Sequence, residues 1–117
     1  MNREDLAWAA SFFDGEGSVG CQFFKTRGYK QRKLSVSIGQ VHRQVLDKFK
    51  NAVGGLGGVY DCKNPSGFTV KSQRIFRYQA GSFQDAQAIM AMLWPWLSSI
   101  KREQTKRALA RYHGGLV

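Results

Sequence analysis

Leu6-Ala7-Trp8-Ala9-Ala10-Ser11-Phe12-Phe13-Asp14-Gly15-Glu16-Gly17-Ser18-Val19 changes its period halfway along. Up to Asp14 the apolar residues Leu6, Ala9, Ala10, Phe12 and Phe13 recur at helical spacing, and Glu4 and Asp5 suit a first turn, so a helix is expected over 3–14. Gly15 and Gly17 are expected to stop it. Beyond them Val19, Cys21 and Phe23 alternate with Ser18, Gly20, Gln22 and Phe24, which predicts a strand over 18–26. Ala7, Ala10, Ser11 and Asp14 fall at i, i+3, i+4 and i+7, a stripe of small side chains ending in an acid. Small residues at that spacing let a second helix come close. Glu16 is expected just past the helix end, where the macrodipole already places partial negative charge. It calls for something positive beside it, a Lys or Arg among the candidates; the plainer alternative is that the glycines only make a turn.

Working outward, Gly28 marks a turn, and Leu34, Val36 and Ile38 alternate with Lys33, Ser35 and Ser37 to predict a strand over 33–40. Val45, Leu46, Phe49 and Val53 carry a helix over about 43–53, which the glycine-rich run 54–58 ends. A short strand over 59–63, a turn at Asn64-Pro65-Ser66-Gly67 and a strand over 74–80 follow. In the last, Phe76, Tyr78 and Ala80 face one way, and Gln79 with Ile75 or Arg77 the other. Ser82, three residues before Asp85, opens a helix running to about Trp94. Pro95 interrupts, and a final helix covers about 98–112. The order αββαββαα predicts an α+β domain with a four-stranded antiparallel sheet and helices on one face.

The 117 residues suit one domain, with 43% hydrophobic and 13% aromatic content that excludes a disordered basic tail. The longest nearly apolar run, 88–97, is half of what a membrane span needs, about 20 residues. The charged start lacks a secretory pattern, so an intracellular protein is expected. Cys21 and Cys62, with His42 and His113, fit neither a disulfide framework nor a zinc site. Gly15-Glu16-Gly17-Ser18-Val19-Gly20 spells a dinucleotide fingerprint, but a helix precedes it, a strand follows it, and 35–40 holds no acid; the match is accidental.

Lys and Arg number 18 against 8 Asp and Glu, for a net charge of +10. Lys25, Arg27, Lys30, Arg32, Lys33 and Arg43 lie in an acid-free stretch, as do Lys63, Lys71, Arg74 and Arg77. The alternatives are a polyanion partner, a merely solvated basic face, or an anionic membrane; no basic amphipathic helix with an exposed aromatic edge supports the last. Nucleic acid is the favoured partner.

The segment from Trp8 to Val19 resembles the motif of the single-motif LAGLIDADG homing endonucleases, a small-residue helix followed by D-G-D/E-G-S. The resemblance continues through Gln40, Leu46, Gly54-Gly55, Pro95-Trp96-Leu97 and Lys101-Arg102-Glu103-Gln104 in order and spacing. Ala9, Ser11 and Phe12-Phe13 depart from the usual motif, and Ser11 slightly thickens a helix–helix contact. The likeness implies an αββαββα saddle sheet with an added C-terminal helix, one motif over 6–17, and a homodimer joined through the motif helix at Ala7, Ala10, Ser11 and Asp14. It implies catalytic roles for Glu16, Gln40 and Lys101, with Glu16 and the Gly15 carbonyl on divalent metal, and assigns Asp14 to helix-end structure. One carboxylate is a poor site for two hydrated cations, so two copies of Glu16 would meet at a dyad.

The cation implied is Mg²⁺ or Mn²⁺, with Ca²⁺ supporting binding without cleavage, and neither a small-molecule cofactor nor a membrane is expected. Outward strand residues Gln22, Phe24, Lys33, Ser35, Ser37, Tyr60, Arg77 and Gln79 suit base edges in a major groove. Lys25, Arg27, Lys30, Arg32, Lys63 and Lys71 suit phosphates. The function expected is metal-dependent cleavage of a long near-palindromic DNA site, of the kind carried by introns. The alternative is a non-cleaving regulator or intron maturase on the same fold. An RNA-binding sheet with stacked aromatics lacks its sequence signature.

Overall fold

The computed structural model describes residues 2–62 and 75–114, apart from the side chains of Phe24, Thr26, Tyr29, Lys30 and Cys62. Its elements run α1 (Arg3–Glu16), β1 (Gly17–Thr26), β2 (Tyr29–Gln40), α2 (Arg43–Ala52), β3 (Gly58–Cys62), β4 (Ile75–Ala80), α3 (Phe83–Leu93), a single 3₁₀ turn (Trp94–Trp96) and α4 (Ser99–Tyr112). The strands form one antiparallel sheet in the order β1-β2-β4-β3. This is the expected α+β arrangement.

Capping sets the helix starts. Asn2 Oδ1 accepts the Asp5 amide at 2.7 Å and Ser82 Oγ accepts the Asp85 amide at 3.1 Å, so α1 and α3 each begin on a polar side chain that satisfies an orphan donor. Pro95 sits in the 3₁₀ turn that separates α3 from α4. The guanidinium of Arg102 donates to the carbonyls of Trp94 and Pro95, pinning that turn to α4.

Two boundaries differ from expectation. Gly15 lies inside α1, and Glu16 is the last helical residue rather than the first beyond it. A glycine costs a helix only about 1 kcal/mol, and the stop falls instead at Gly17, whose amide bonds the Phe13 carbonyl. A Cβ at Gly17 would run into the Phe13 ring, so the chain can leave the helix there only on a glycine. β2 starts at Tyr29 rather than near 33, because the two-residue turn Arg27-Gly28 pairs Thr26 with Tyr29 and Lys25 with Lys30. Both turn residues have positive φ, 52° and 84°, which suits the twist of a tight hairpin although the first is an arginine.

The core lies between the helices and one face of the sheet. Leu34, Val36, Ile38, Tyr78 and Ala80 from β2 and β4 meet Ala9, Ala10, Phe13, Leu46, Phe49, Ile89 and Leu93 from the helices. Phe49 stands edge-on to Tyr78, with ring centroids 4.9 Å apart. Phe23 shares this face by alternation but is 48% exposed. It lies toward the hairpin end of β1 and is flanked by the guanidiniums of Arg32 and Arg111, 6.0 and 5.1 Å from its ring centre.

Candidate functional site

The α1–β1 junction brings together three elements. α1 delivers Asp14, Gly15 and Glu16; β1 begins at Gly17; and the first turn of α4 reaches across with Ser98 and Lys101. Glu16 is exposed, and its carboxylate forms no hydrogen bond or ion pair with any other described residue. Gly15 is also exposed, and in the last turn of α1 its carbonyl has no intrahelical partner. Asp14 differs: its two carboxylate oxygens each accept the Ser98 amide at 3.1 Å, and Oδ1 also accepts the Ser98 hydroxyl at 3.0 Å.

Lys101 is largely buried. Its ammonium donates to the Gly17 carbonyl at 2.6 Å and to Gln104 Oε1 at 3.3 Å, with the Phe13 ring centre 5.7 Å away. Two of its three donors are thus engaged, next to the residue that follows Glu16. A cation here offsets the partial negative charge of the α1 C-terminus. Gln40 ends β2 opposite Phe76 of β4, two residues past the Gly17–Ile38 pair, so it lies at the same end of the sheet as the junction. Among the described residues no three His, Cys, Asp or Glu side chains cluster as a metal site.

Of the small stripe, Ala10 is fully buried in the core of this chain and Asp14 is tied to Ser98. The small residues that face outward are Ser11 and Gly15, with Ala7 half-buried behind them, at i, i+4 and i+8. This three-residue ridge, spaced every fourth residue, is the one α1 has free for a close approach, and it ends beside Glu16.

The sheet face away from the helices forms the second part of the site. Cross-strand pairing aligns Ser18 with Ser37, Gln22 with Lys33, Ser37 with Gln79, and Tyr60 with Arg77. Tyr60, Arg77 and Gln22 are exposed, while the Ser18 and Ser37 hydroxyls bond each other at 3.1 Å. Ser35 shares the face but is only 7% exposed, seated between Lys33 and Ser37 on a central strand, so it offers little to a partner. Gln31 and Ile75 belong to this face by register and are exposed. Extending the period-2 alternation of β2 back past Lys33 would have found Gln31.

The expected phosphate-contacting residues divide. Lys25 and Arg27 are exposed at the β1–β2 hairpin. Arg32 instead donates to the Tyr112 carbonyl at 3.1 Å, holding the end of α4. Phe24 and Lys30 lie on strands, but their side chains are outside the description; Lys63 and Lys71 fall outside the described residues altogether. Sequence reasoning missed Ser98, whose partner Asp14 lies 84 residues away. The serine-before-helix pattern was the only local signal.

The chain matches no protein-family model and no curated protein. Its three-dimensional form does match solved structures. The homing endonuclease I-CvuI, in complex with DNA, superposes with a TM-score of 0.74 at 23% identity, over 96% of this chain and 69% of that one. The archaeal intron-encoded homing endonuclease I-Vdi141I, complexed with DNA, gives 0.70 at 18% identity over 95% and 70%. The LAGLIDADG homing endonuclease I-GzeII, in complex with its DNA target, gives 0.70 at 17% identity over 94% of this chain, which spans only 36% of that protein. With the strand order, the motif helix and the junction coinciding in one chain, the fold is that of the LAGLIDADG homing endonucleases.

Proposed function

We propose that the protein is a site-specific endonuclease for double-stranded DNA, acting as a homodimer on a long near-palindromic site. The observation that carries this reading is Glu16, an exposed carboxylate without a partner among the described residues, at the end of an exposed ridge of small residues and beside a polar, basic sheet face. One chain offers one such acid. Two copies packed along Ala7, Ser11 and Gly15 would bring both near a two-fold axis.

The donors fit a hard divalent cation such as Mg²⁺, because the Glu16 carboxylate and the Gly15 carbonyl are oxygen ligands not engaged elsewhere in the described chain. Such a cation, when bound, polarises a phosphoryl oxygen and lowers the pKa of a water molecule. Lys101, with one ammonium hydrogen not engaged among the described residues, would stabilise charge that develops on a phosphate, and Gln40 would orient a water. On the sheet, Arg77 suits guanine, Gln22 and Gln79 suit adenine, and Tyr60 suits either. Lys25 and Arg27 at the hairpin suit the phosphate backbone. I-CvuI structures determined with Mg and with Ca support the choice of a divalent cation.

Selection from a randomised duplex library, with binding in Ca²⁺ and a switch to Mg²⁺, tests this reading. Wild-type protein is expected to recover one two-fold site and cut near its centre. Glu16→Gln is expected to bind the same site and leave it intact. Cutting by that variant would remove Glu16 from the chemistry, and a site bound but never cut by wild type would make the protein a non-cleaving DNA-binding regulator.

A further inference from the structure

We infer that Asp14 and Ser98 are positioning residues that fix Glu16 in place from α4. This rests on the proposed endonuclease reading and assigns a role to the neighbours of its acid. Four residues form a closed loop of hydrogen bonds around Glu16. Asp14 accepts from the amide and hydroxyl of Ser98; Ser98 Oγ accepts the Lys101 amide at 3.2 Å; and Lys101 Nζ donates to the Gly17 carbonyl at 2.6 Å. The chain is therefore held two residues before Glu16 and one residue after it.

Two physical reasons make the loop more than a tie between helices. The last turn of a helix frays, because its carbonyls have no intrahelical partners. Glu16 occupies that turn, and the anchors at Asp14 and Gly17 bracket it. Successive helical residues are rotated by about 100°, so residues two apart point to nearly opposite sides. Directing Asp14 toward α4 therefore turns Glu16 away from α4. The two acids of the motif thus divide the work: the first binds the N-terminus of another helix, where the macrodipole favours an anion, and the second is left open.

Ser98→Ala, Ser98→Thr and Asp14→Asn test the inference, read by amide hydrogen exchange at Glu16 and Gly17, single-turnover cleavage at saturating protein, DNA affinity in Ca²⁺, and thermal midpoint. Ser98→Ala and Asp14→Asn are expected to speed exchange at the two amides and slow cleavage by about tenfold, the usual scale for a lost outer support. DNA affinity should hold, and Ser98→Thr, which keeps the hydroxyl, should restore both losses. Unchanged exchange in Ser98→Ala and Asp14→Asn would overturn the inference. So would a cleavage loss that merely follows lost affinity and melting temperature. If wild type cleaves nothing, the endonuclease reading fails, and the exchange measurement still decides whether the loop holds Glu16.

Discussion

The phenol of Tyr78 donates to the Leu56 carbonyl at 2.7 Å from a fully buried position on β4. Burial, with the Asp85 carboxylate adding to it, pushes its pKa well above the usual phenol range. The folded chain therefore keeps a proton that the unfolded chain releases above about pH 10. This contribution to stability is complete below that pH and is lost as pH rises beyond it. Tyr78→Phe is expected to flatten that alkaline decline in urea titrations. At neutral pH it should cost about 1–3 kcal/mol, the penalty for leaving the Leu56 carbonyl without its partner.

A helix turns such local facts into a surface. The outward ridge of α1, Ala7, Ser11 and Gly15, has no bulky side chain to hold a second helix away. Ser11→Phe is expected to leave the chain folded, since exposed substitutions usually fall within about 0.5 kcal/mol. It should shift sedimentation toward the monomer and abolish cleavage together. Every described helix and strand was legible in the sequence, because the switch from period 3.6 to period 2 is sharp at Gly17 and the cap at Ser82 is a local signal. The end of α1 was not, since a glycine inside a last helical turn looks like a stop. Nor was the burial of Ser35 or the use of Arg32 to hold α4, because both depend on what the fold places beside them. Glu16 stood out by its position, whereas the loop that brackets it joins residues far apart in sequence and is visible only in three dimensions.

For the whole molecule, a charge of +10 on 117 residues predicts binding to DNA that weakens steeply with salt, log K falling by about 0.9 per phosphate neutralised. Lys25→Ala at the hairpin is expected to weaken all duplexes alike and reduce the slope by about 1, whereas Arg77→Ala should relax preference at one pair of symmetric positions. Titrations at several ionic strengths separate the two. The sheet also has a polar face opposite its core, so substitutions there can change what it would contact without touching what keeps the chain folded.

Because each chain carries a single Glu16, the active unit of the proposed endonuclease would have to be assembled from two. Below the concentration at which chains pair, activity would then grow as the square of the amount present, and sparse expression would keep a potentially lethal cutter silent. A cell producing intact and Glu16-deficient copies in equal amounts would assemble only a quarter of its pairs from two intact chains if pairing is random. In genetic terms, the defective allele would be dominant.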